Sequence, residues 1–143
     1  MSKYWTSIYD EDDRISDLER LEPGVVFDWL NVHLPAVGAS IDWAHVTGDH
    51  THWFADSEAS YKAIRTEFLG AVSLNAGAVL HEGDSLSPFP VRIEPGELAS
   101  VIEALLEIPE HHYFVDDQRR WVGVFRTEGH VDLVVLQSES GRP

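Results

Sequence analysis

HYFVDDQRRWVGVFRTEGHVDLVVL, His112 to Leu136, is the stretch on which the fold turns. His112–Val115, Trp121–Arg126 and Val131–Leu136 are runs of β-branched and aromatic residues. Asp116-Asp117 and Glu128-Gly129 separate them, so the stretch reads as an antiparallel meander. Immediately upstream, Leu98, Val101, Ile102, Leu105 and Leu106 share one helical face, with Glu97, Ser100, Glu103 and Glu107 on the other. Pro95 lies near the first turn of this helix and Pro109 ends it.

Further towards the N-terminus, Ala76–His81 and Phe89–Ile93 are short apolar runs with strand character. Pro88 and Pro90 confine the second of them to an edge. Tyr61, Ile64, Phe68 and Leu69 follow helical spacing after a cap at Asp56-Ser57, and Gly70 closes that run. Val25–Leu34 forms another helix-like pattern ended by Pro35 and Gly38. Asp10–Glu22 reads as a short acidic helix stopped by Pro23-Gly24. Residues Pro35–Phe54 are open between loop and strand. Helices followed by a C-terminal meander define an α+β domain, expected to span 1–137 with a flexible tail over 138–143.

The composition fits that single core. The chain has 143 residues, 43% of them hydrophobic and 24% charged, which suits a folded domain and not a disordered one. Cys is absent, which removes disulfides, thiolate metal centres and Cys nucleophiles by inventory. Residues 1–13 lack an apolar signal-like core and no apolar run approaches membrane-spanning length, so a cytoplasmic location is expected.

Charge is the strongest compositional signal. Asp and Glu number 25 against 10 Lys and Arg, a formal net charge of −15. Leu21–Tyr61 and Ile93–Gln118 contain neither Lys nor Arg. Phosphate backbones are repelled by such a field, because nucleic-acid affinity rests on cations that displace counterions. Anionic membranes are disfavoured for the same reason, and a basic protein is the natural partner. Glu103, Glu107, Glu110, Asp116 and Asp117 are expected to form its docking surface, with Trp43 and Trp53 as aromatic anchors that stack on arginine. Tyr4 and Trp5 share that sequence context.

Several motifs invite a chemical reading. His45, His50 and His52 lie within eight residues beside Asp42, Asp49 and Asp56. Two His at i, i+2 on a strand share a face, so with a carboxylate they suggest a small metal-dependent hydrolase as the alternative function. No His-Glu-x-x-His pattern accompanies them, and His81 and His130 stand alone. No P-loop or dinucleotide-binding glycine turn occurs, so no cofactor is expected. With 25 acids, any chosen carboxylate pair is uninformative about glycoside hydrolysis.

Gly83-Asp84-Ser85-Leu86-Ser87, preceded by Ala78-Val79-Leu80, resembles the first block of the GDSL esterases. That likeness implies Ser85 as a nucleophile. The family's downstream Asn and Asp-x-x-His are missing, since Asn31 and Asn75 both precede Ser85, and a Gly-Asp-Ser turn accounts for the residues.

A second resemblance concerns Pro109-Glu110-His111-His112-Tyr113-Phe114-Val115-Asp116-Asp117, then Arg120–Val124, then Glu128–Leu133. This order of a Tyr-bearing strand, a charged turn, a Trp-bearing strand and a polar turn resembles small bacterial immunity-type proteins of polymorphic toxin systems. The resemblance implies a one-domain α+β inhibitor that neutralises a toxin without catalysis. The sequence therefore leads to a non-enzymatic acidic binding module, an immunity- or antitoxin-like inhibitor of a basic effector such as a nuclease.

Overall fold

The computed structural model describes residues 8–34, 36–37, 40–43, 46, 48–72 and 77–136. Tyr4, Trp5, His45, Asn75 and the expected tail at 138–143 lie outside the described residues. Along the chain run α1 (Asp13–Ser16), β1 (Glu19–Arg20), α2 (Val25–His33), β2 (Ala36–Val37), β3 (Ser40–Ile41), β4 (Gly48–Phe54) and α3 (Glu58–Val72). They are followed by β5 (Val79–Gly83), β6 (Val91–Ile93), α4 (Leu98–Leu105), β7 (His112–Asp116), β8 (Trp121–Phe125) and β9 (His130–Leu136).

The expected meander is present as β7–β8–β9, with Phe114 opposite Gly123 and Gly123 opposite Leu133. It is the centre of a seven-stranded antiparallel sheet ordered β1-β6-β5-β7-β8-β9-β4, and β2 and β3 form a separate ribbon. The fold is α+β. The period of two along each strand divides the interior in two. Trp121 and Phe125 of β8, with Phe114 of β7 and Leu133 of β9, face α1, α3 and α4, where Ile15, Ile64, Phe68, Ile102 and Leu105 are buried. Val122 and Val124, with Leu80, Val115 and Val134, face α2 through Val26 and Leu30. Burial on both faces explains why these strands read as almost continuous apolar runs.

Local chemistry sets the helix ends. At α3, Ser57 Oγ accepts from the Ser60 N–H at 3.1 Å, while Ser60 Oγ accepts from the Asp56 and Ser57 N–H groups. This is a reciprocal cap of the kind the Asp56-Ser57 pair suggested. Helix α2 starts at Gly24, which offers no capping side chain. Its first N–H groups, which have no partner within the helix, are satisfied from the sheet instead, as Glu82 of β5 accepts from Gly24, Val26 and Phe27 at 2.7, 3.0 and 3.3 Å.

Three local expectations change. Asp10–Glu22 is not one helix: Asp12 is extended and its carboxylate accepts from the Arg14 N–H, after which Glu19–Arg20 pairs with β6. The Phe89–Ile93 run is not an edge, because β6 lies between β1 and β5. Pro90 precedes its first paired residue and contributes only its carbonyl, to Leu21 N–H, so no ladder donor is lost. Gly70 lies inside α3, which continues to Val72 because that side chain is buried in the core. The open region at 35–54 resolves in part, with Gly48–Phe54 forming the edge strand β4 along the full length of β9.

Candidate functional site

The acidic segment Asp10–Glu22 and the first part of the cation-free stretch Ile93–Gln118 become neighbours. Helix α1 packs on α4 and β1 pairs with β6, so residues 10–22 and 93–107 build one side of the molecule. Between them lies a groove of about 660 Å³ bordered by Asp13, Asp17, Glu19, Glu94 and Glu97, with Arg14 and Arg92. All five carboxylates are exposed. The two arginines are already paired within the protein. Arg14 meets Asp12 at 2.7 Å and Glu103 at 3.1 Å, and Arg92 meets Asp117, Glu94 and Glu19 at 3.2, 3.6 and 3.9 Å. What the groove presents to water is an excess of negative charge.

The expected docking acids divide sharply. Glu103 on α4 and Glu107 in the turn after it are exposed and border a second depression of about 250 Å³ with Glu58, Tyr61, Lys62, Arg65 and Leu106. Asp117 is half-buried in its ion pair with Arg92. Glu110 and Asp116 are corrections: they are 4% and 0% exposed and cannot meet a partner. Glu110 accepts from the Ser85 and Ser87 N–H groups at 2.8 and 3.1 Å, and also from Leu86 N–H and the Ser87 hydroxyl. Asp116 accepts from Arg120 Nε at 2.7 Å and from the Arg120 N–H at 3.0 Å, closing the β7–β8 turn. Buried carboxylates need donors on most lone pairs, and here turn backbone N–H groups supply them together with the Ser87 hydroxyl and the Arg120 guanidinium. The same arrangement decides the Gly83–Ser87 segment, which is a turn folded around Glu110.

Trp43 and Trp53 are half-buried satellites of the two cores. Trp53 Nε1 donates to Glu67 at 3.2 Å, and Trp43 stacks on His50 at 4.9 Å between ring centres. Each tryptophan thus spends much of its ring on intramolecular packing.

The histidines gather by strand register. His50 and His52 share a face of β4 as the spacing predicts, and β9 brings His130 and Asp132 beside them. His50 Nε2 lies 2.8 Å from Oδ1 of Asp132, which is 3% exposed. His52 Nε2 lies 2.9 Å from His130 Nδ1, and the His130 ring also touches Phe54. The carboxylate beside His50 is therefore Asp132 and not one of its sequence neighbours. Among the described residues, no group of three or more His, Asp or Glu side chains is arranged to hold a metal.

A second imidazole pair was not anticipated. His81 Nε2 and His112 Nδ1 are 2.9 Å apart in the core, and His112 Nε2 donates to the Ile108 carbonyl at 2.8 Å. Burial disfavours a charge on either ring, and with both neutral and Nε2–H given to Ile108, His112 Nδ1 accepts and His81 Nε2–H donates. Burial pushes both below the ordinary imidazole value, and the facing His112 lowers His81 further. The alternation of His81 with Val79, and of His112 with Phe114, was the available signal of inward-facing rings.

No helix of the described residues is long and apolar enough to cross a membrane. Comparison with protein-family models, with curated proteins and with solved structures finds no match to this chain.

Proposed function

We propose that this chain is a non-enzymatic acidic binding module that captures a basic protein, most concretely an immunity- or antitoxin-like inhibitor of a basic effector such as a nuclease. The observation that carries the reading is the meeting of two acid-rich segments at the α1–α4 and β1–β6 contacts, where five exposed carboxylates border one groove and both arginines are internally paired. A scattered excess of charge would raise solubility alone. A concentrated one creates a directional field that speeds encounter with a cationic partner and fixes its orientation. Glu103 on α4 and Glu107 just past its end adjoin this side, next to a partly apolar depression at Tyr61 and Leu106 where Glu103 is met by Arg14 and Arg65. Occlusion of the partner's cationic site would supply inhibition.

The test is co-purification of the full chain from native lysate, followed by association kinetics with the captured protein. Asp13→Lys, Asp17→Lys and Glu97→Lys together reverse exposed charges that form no ion pair among the described residues. The reading expects a basic companion whose association rate falls by about 10-fold or more in the triple variant, and falls likewise with salt in the parent. A companion bound at the same rate by both proteins, with no salt dependence, would defeat it.

A further inference from the structure

We propose that His52 and His130 form a binding site for a divalent transition ion, zinc in particular, on the exposed face of the β4–β9 ribbon. The two rings converge from neighbouring strands, with His52 Nε2 and His130 Nδ1 at 2.9 Å. Zinc held tetrahedrally at about 2.0–2.1 Å from each nitrogen places two imidazole nitrogens about 3.3 Å apart. To take up the ion the rings separate by a few tenths of an ångström and turn so that their lone pairs, now aimed at each other, converge on one point beside the N···N line. The backbone restrains them near that geometry, because Phe54 pairs directly with His130 and His52 directly with Asp132. The Phe54 ring supports His130 at 4.9 Å.

The facing nitrogens now share one hydrogen. On metal binding that hydrogen moves to the far nitrogen of the same ring, so both facing lone pairs become ligands and no net proton is lost. Water completes the coordination, which the exposed position of His52 permits. The buried Asp132 carboxylate, two residues from His130 and opposite His52, adds negative potential to that of the whole chain. The core pair makes the contrast. His81 and His112 show the same 2.9 Å separation, but they are wholly enclosed and His112 Nε2 is committed to Ile108. Of the two pairs among the described residues, only that of β4 and β9 combines facing nitrogens with access to water.

The experiment titrates the full chain with Zn²⁺ against a chromophoric chelator at neutral pH and follows histidine ring nitrogens by NMR in parallel. One ion per chain is expected, with the His52 and His130 resonances moving together. His52→Ala and His130→Ala should each weaken zinc by more than about 10-fold, a loss that even an outer-shell partner can cause. His33→Ala, at an exposed ring on α2, should leave binding unchanged. Zinc affinity unchanged in either of the first two variants, or ring shifts confined to other histidines in the parent, would overturn the assignment. The NMR readout on the unsubstituted protein keeps the test independent of any effect of the variants on folding.

Discussion

Glu82, Glu110 and Asp116 look like surface groups in the sequence but act as internal acceptors, and their removal should be felt as stability. Glu82 terminates α2, so Glu82→Gln should cost about 1–3 kcal/mol by weakening charge-assisted bonds at a helix N-terminus. Urea unfolding measures it, and an unchanged midpoint would remove Glu82 from this role. Glu110 organises the Gly83–Ser87 turn so closely that a Cβ built on Gly83 would stand 2.0 Å from its carboxylate. Gly83→Ala and Glu110→Ala should each destabilise, and the double variant should lose less than their sum, because removing the carboxylate makes room for the methyl. The core imidazoles respond to acid. Their folded values lie below the ordinary 6.5, so the unfolded chain takes up protons first. Stability present above that pH is lost as pH falls below it, by up to about 1.4 kcal/mol per pH unit for each ring. His81→Leu should make the slope of unfolding free energy against pH shallower; an unaltered slope would place the acid sensitivity elsewhere.

Packing between elements depends on a few close approaches. Helix α3 lies against the sheet where Gly123 of β8 has no side chain, and a Cβ there would come within 2.5 Å of the Phe68 ring. That ring makes edge-on contacts with Trp121 and Phe125 at 5.8 and 4.9 Å. Gly123→Ala should therefore displace α3 or force Phe68 off its rotamer, at about 1–3 kcal/mol in chemical denaturation. Full retention of stability would show that the helix can slide without cost. The cap of α3 is a gentler control: Ser57→Ala should cost about 1 kcal/mol. Such element-level features were only half legible. The Ser cap and the apolar face of α4 follow from local spacing, whereas the missing side chain at Gly123 gains meaning only once Phe68 arrives from a distant segment. The same holds for Pro90, harmless in an interior strand because its carbonyl faces Leu21 while it stands outside the ladder.

Over the whole molecule the dominant quantity is net negative charge, and self-repulsion should make the fold more stable in moderate salt. The thermal midpoint is expected to rise by a few degrees from low to physiological ionic strength, and a fall would indicate that internal ion pairs such as Arg120–Asp116 outweigh repulsion. Sequence alone determined the α+β class, the meander of β7 to β9, the helices α2, α3 and α4, and the sign of the surface. Each of these follows from local periodicity or from composition, which do not depend on what lies far along the chain. Tertiary structure alone decided the rest. Strand register set His52 beside His130 and Asp132 beside His50 across about 80 residues of chain. The α1–α4 and β1–β6 contacts joined two separate acidic stretches into one groove. A carboxylate's fate also depended on the fold: Glu103 and Glu107 remain in water, Glu110 is drawn inside by donors from the distant Ser85–Ser87 turn, and Asp116 is buried beside Arg120, four residues along. A charged group is buried only where the fold delivers enough hydrogen-bond donors to replace its water, and those donors come from turns that one-dimensional spacing does not specify.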